Sequence, residues 1–107
     1  MLARLHVVIS SEDPKDYETV KESLLQINPH FSISPYREYA GMKDHSEFFV
    51  TFDIQEEDVQ ALLDSLNNDW DGEMDDCICY GFNTKMFHPL AYYLGFTLYN
   101  KKKECSF

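Results

Sequence analysis

The hydrophobic positions of the chain change period several times, and each change marks an element. Leu5 to Ile9 is a short apolar run, β-branched at Val7, Val8 and Ile9 and ended by Ser10-Ser11, which predicts a first strand. Asp13-Pro14 has the form of a helix N-cap with proline at the first helical position. Tyr17, Val20, Leu24 and Ile27 then recur at steps of three and four, predicting a helix over about 14–27, and Asn28-Pro29 stops it. Phe31 to Tyr39 is a second strand, which Pro35 assigns to an edge or a bulge. After a polar turn around Gly41, Phe48, Val50, Phe52 and Ile54 alternate through a third strand, with Phe49 and Thr51 on its other face.

Asp53 and Glu56 have the spacing of a capping box. Val59, Leu62, Leu63 and Leu66 form the stripe of a second helix, about 55–67. Asn67 to Asp76 is a polar loop, and Cys77 to Phe82 a fourth strand. Two readings fit the following stretch. In the preferred one, Pro89 to Leu94 is a short helix capped by Gly95, followed by a short strand over 96–99. In the other, Ala91 to Tyr99 is one strand paired with Cys77–Phe82.

The order strand, helix, strand, strand, helix, strand predicts an α+β domain of ferredoxin-like βαββαβ type. Its antiparallel sheet would carry both helices on one face, plus an extra C-terminal short helix or strand. One domain over 1–100 and a loose tail over 101–107, opening with Lys101-Lys102-Lys103, account for all 107 residues.

Charge sharpens this picture. Nine Lys and Arg stand against nineteen Asp and Glu, a net charge of −10. No Lys or Arg lies between Lys43 and Lys85, a stretch holding twelve acids, while the other 66 residues are close to balanced. A field of this sign repels nucleic acid and anionic membranes and attracts cationic proteins. Glu56 and Glu57 suit the positive end of the second helix's dipole. Asp69-Trp70-Asp71-Gly72-Glu73-Met74-Asp75-Asp76 has no such explanation. Five acids surround the only tryptophan, and an exposed indole there would anchor a basic partner.

Other chemistries fit less well. Read as a calcium loop from Asn67, the segment places Asp69, Asp71, Gly72 and Asp75 at suitable positions, but Ile78 stands where a bidentate glutamate is needed. Cys77-x-Cys79 lacks a second ligand pair for zinc. Cys105 makes the cysteine count odd, and the amino terminus shows no signal segment, so a reducing, cytoplasmic location is expected. His6, His30, His45 and His88 are scattered; Cys79 with His88 is the one conceivable nucleophile–base pair, and nothing favours it. Four single glycines make no phosphate loop.

No enzyme activity, metal or cofactor is therefore expected. The expected function is an acidic protein-binding inhibitor of a basic, nuclease-type toxin, the class to which bacterial immunity proteins belong. Asp69, Trp70, Asp71, Glu73, Asp75 and Asp76 would make the contact, with Glu56 and Glu57 as rim charges. The alternative is a ligand-sensing or regulatory domain that dimerises through its sheet, using the aromatics Tyr80, Phe82, Tyr92, Tyr93, Phe96 and Tyr99.

Overall fold

Strand β1, Leu2–Ile9, is the middle of the sheet, and its alternation explains the rest of the architecture. Ala3, Leu5, Val7 and Ile9 are wholly buried on one face, whereas Leu2 and Arg4 are exposed on the other. The computed structural model describes residues 1–81 and 85–99; Phe82 and the expected tail over 101–107 lie outside them. After β1 come α1 (Pro14–Ile27), β2 (Ser32–Ile33), β3 (Arg37–Glu38) and β4 (Ser46–Asp53). A 3-10 turn (Glu56–Asp58), α2 (Val59–Leu66), β5 (Asp71–Glu73), β6 (Asp76–Tyr80) and β7 (Ala91–Tyr99) complete the order. The strands form one antiparallel sheet in the order β2-β4-β1-β7-β6-β5, with β3 also paired to β4. None of the described helices is long and apolar enough to cross a membrane.

Helix α1 begins as its sequence predicts. The Asp13 carboxylate accepts from the Lys15 N–H at 2.9 Å, Pro14 opens the first turn, and Tyr17, Val20 and Leu24 are buried. Val59, Leu63 and Leu66 of α2 enter the same cluster, together with the inward residues of β1, β4, β6 and β7. Both helices therefore cover one face of the sheet. The expected second strand is interrupted at Pro35, which has no N–H to pair. The Ser34 hydroxyl bridges the gap by accepting from the Phe49 N–H at 2.8 Å.

Four expectations are corrected. The capping box does not form: Asp53 is still paired with Leu2 in the sheet, and Gln55 precedes the 3-10 turn without a side-chain cap bond. The polar loop over 67–76 contains a strand, β5. The short helix over 89–94 is absent, because 91–99 is one continuous strand along the free edge of β1, from Leu2–Tyr99 to Ile9–Ala91. Finally, the strand expected as the fourth, observed as Asp76–Tyr80, does not border β1; β7 lies between them.

Candidate protein-binding surfaces

The acids come together from two directions. Glu56 and Glu57 stand exposed on the turn before α2. The hairpin β5–β6 carries Asp71, Glu73 and Asp76 on its strands and Asp75 in its turn, with Asp69 just upstream. The hairpin depends on Gly72, whose φ is 120° and where a Cβ would stand 2.6 Å from the Asp76 carbonyl oxygen. Glu56, Glu73 and Asp75 line one cleft of about 240 Å³, floored by Val59 and Leu98. Thus the helix entry and the hairpin share a surface. Among the described residues no lysine or arginine forms an ion pair with Glu56, Glu57, Asp69, Asp71, Glu73 or Asp76; the ion pairs found are both on Glu47.

The cluster is nevertheless divided. In antiparallel ladders, directly paired residues share a face. Gly72 pairs with Cys77, which is buried on the helix side. Asp71 pairs with Ile78, Glu73 with Asp76, and Asp76 with Thr97, so all three strand residues belong by register to the opposite face, although Glu73, at the end of β5, also lines the cleft.

Trp70 is not the exposed anchor that its acidic neighbours suggest. It is half-buried against the core, and its indole N–H donates to the Leu63 carbonyl at 2.8 Å. A buried indole requires such an acceptor, and this bond ties the start of the hairpin to α2. The exposed apolar side chain at the hairpin's turn is Met74, 48% accessible. The calcium geometry is also lost: Asp71 and Gly72 lie in an extended strand, and the Asn67 side-chain oxygen accepts from the Asp69 N–H at 2.7 Å.

Cys77 and Cys79 are buried beneath the helices. Burial, reinforced for Cys77 by Asp76 and Asp75 and for Cys79 mainly by Cys77, pushes their thiols up to about 11 and about 12. Both burial and the raised pKa disfavour the thiolate, the form in which a cysteine acts as a nucleophile. Burial also lowers the His88 imidazole, against a smaller opposing effect of Asp16. The described residues contain no group of three or more His, Cys, Asp or Glu placed to hold a metal ion.

The second surface is the sheet face without helices, which sequence reasoning missed. His6 stacks on Phe49 with ring centroids 4.7 Å apart, and the Arg4 and Arg37 guanidinium carbons lie 5.2 and 5.7 Å from the Phe49 ring. Glu47, only 8% accessible, accepts from His6 Nε2 at 2.7 Å and Arg37 Nε at 2.9 Å. Burial pushes the Glu47 carboxyl up, but the hydrogen bonds and charges of His6 and Arg37 together outweigh it and the net shift is downward. Across β1, the Tyr93 ring meets His6 edge-on at 5.6 Å and lies tilted against Tyr80 at 5.4 Å. The signal lay in the second alternation of β1 and β4, Arg4-x-His6 and Glu47-x-Phe49, which an inward-facing reading of the strands passes over.

The chain matches no family model, no curated protein and no solved structure. Each surface is therefore judged by its own chemistry.

Proposed function

We propose that the protein is a non-enzymatic binding module that captures a cationic protein through the cleft between the 3-10 turn and the β5–β6 hairpin. One observation carries this reading: two sequence-distant acidic segments meet around one cleft with no lysine or arginine paired to Glu56, Glu57 or Glu73 among the described residues. Among the described residues no lysine or arginine lines the cleft; the one cationic group in its lining residues is the Met1 ammonium, which donates to the Ile54 carbonyl at 2.8 Å, and the acidic rim is complementary to a basic partner. Uncompensated acids steer that partner toward the surface, and Met74 gives the cleft a flexible apolar contact. The partner class is a basic nuclease-type enzyme, whose phosphate-binding groove the carboxylates would occupy; the domain would then be its cytoplasmic inhibitor, as an immunity protein is. The topology supports a ferredoxin-like reading, β1-α1-(β2,β3)-β4-α2-β7, with the β5–β6 hairpin inserted before the last strand.

The test compares binding of a panel of basic nucleases to the wild type, to Glu56→Lys/Glu73→Lys, and to a charge-matched control, Glu18→Lys/Glu22→Lys on α1. The cleft variant is expected to lose at least about tenfold in affinity, with a shallower salt dependence, while the control stays near wild type. Equal losses in both variants would mean that net charge alone attracts the nucleases, and would refute the cleft.

A further inference from the structure

The sheet face turned away from the helices has the makings of half an interface. When one face of an antiparallel sheet meets water, that face is ordinarily polar. Here it carries Phe49, Ile78, Tyr93 and Tyr80, the last 40% accessible. The Tyr93 ring lies down along its own strand over Gly95: a Cβ at residue 95 would stand 2.8 Å from the tyrosine oxygen. Gly95 thus keeps this part of the face flat, as a facing sheet would require.

Charge on this face is arranged about β7. Arg4 on β1 and Arg37 on β3 lie to one side; Asp76 on β6 and Asp71 and Glu73 on β5 lie to the other. Glu47 is already engaged by Arg37 and His6, and Asp53 stands at the outer end of β4. Arg4, Thr97 and Asp76 form one row across three strands, with Thr97 in the middle.

We infer that this face is a homodimer seam, in which two copies pack sheet to sheet about a two-fold axis running along β7. Such an axis lays β1 of one copy over β6 of the other. Arg4 then faces Asp76 of the partner subunit, and the relation is reciprocal, as an isologous interface demands. A two-fold axis across the strands would instead set β1 on β1 and bring the arginines together. Strands at ~4.8 Å spacing rising ~3.4 Å per residue give β4, β1, β7 and β6 a face of roughly 500 Å² per copy. The total, on the order of 1,000 Å², falls at the small end of specific interfaces and describes a weak, reversible dimer. This inference does not rest on the acidic cleft, which stays open on the helix side.

The experiment is sedimentation equilibrium across a concentration series up to about 1 mM, the weak limit for a meaningful affinity. Wild type is expected to dimerise. Arg4→Glu and Asp76→Arg each place like charges opposite one another and are expected to weaken the dimer at least about tenfold. Mixed together, the two variants restore it as a heterodimer, since both contacts across the seam then join opposite charges. As a measurement that needs no variant, dilution of the wild type followed by amide NMR should move the resonances of β1, β7 and β6 and leave α1 unchanged. A monomer at every concentration, a mixture that fails to recover, or shifts confined to the helices would each overturn the seam.

Discussion

Glu47 shows how one buried carboxylate can organise a surface. It sits between His6 and Arg37, and its pKa lies below the usual range because the hydrogen bonds and charges of those two residues outweigh its burial. A carboxyl lowered in the folded state contributes stability above its unfolded value, and that contribution fades as pH falls through the folded one. Urea midpoints measured between pH 7 and pH 3 should therefore fall more steeply for the wild type than for Glu47→Gln, by on the order of 1 kcal/mol. Trp70→Phe separates two roles of the indole. Losing the bond to the Leu63 carbonyl should cost about 1 kcal/mol of unfolding free energy, with no change in affinity for a basic nuclease; an exposed anchor would give the reverse. Cys77 and Cys79 should resist alkylation at pH 8 in the native protein and react only on unfolding, as peptide mapping by mass spectrometry would show. Sequence alone could not place Trp70. An aromatic among acids is either a contact residue or a core-edge residue with its polar end satisfied, and the acceptor that decides is a backbone carbonyl seven residues earlier.

Elements built on local signals were legible. The alternation of β1 and β4, and the Asp13-Pro14 start of α1, depend on neighbours in the chain, and all three appear where the pattern puts them. Asp13→Ala should lower stability by about 1 kcal/mol, read by chemical denaturation, because the first-turn N–H of Lys15 loses its acceptor. Elements that exist only through distant partners were not legible. Pro89 and Gly95 mimic helix punctuation, yet 91–99 is extended because β1, at the other end of the chain, offers it an eight-residue edge. Asp71-Gly72-Glu73 has poor strand propensity. It forms β5 by pairing with β6, and its charge suits an edge strand that must not recruit further strands. Gly95→Ala belongs to this scale as well. It meets only the far end of Tyr93, so stability should change by less than about 1 kcal/mol, while the raised tyrosine ring should abolish dimerisation in sedimentation.

For the molecule as a whole, charge imbalance was visible in the sequence and its geography was not. Contiguous acids suggested one patch; pairing in β5 and β6 sends Asp71, Glu73 and Asp76 to one face, while Asp75 in the turn and the strand end at Glu73 line the cleft beside Glu56. Periodicity along a single strand reveals that two faces exist, but only the sheet order tells which residues of different strands become neighbours on them. Two surfaces of different character follow, an acidic cleft and an aromatic sheet face, on opposite sides of the hairpin.

The placement of β7 between β1 and β6 also constrains motion. The hairpin bearing the acids hangs from the remainder of the sheet through β7 alone, so an opening that separates β7 from β1 carries β6 and β5 away with it. Amide protons bonded between β1 and β7 can then exchange with solvent while those between β6 and β7 stay protected, and a ligand that joins Glu56 to the hairpin would slow exchange in β1, a strand it never touches.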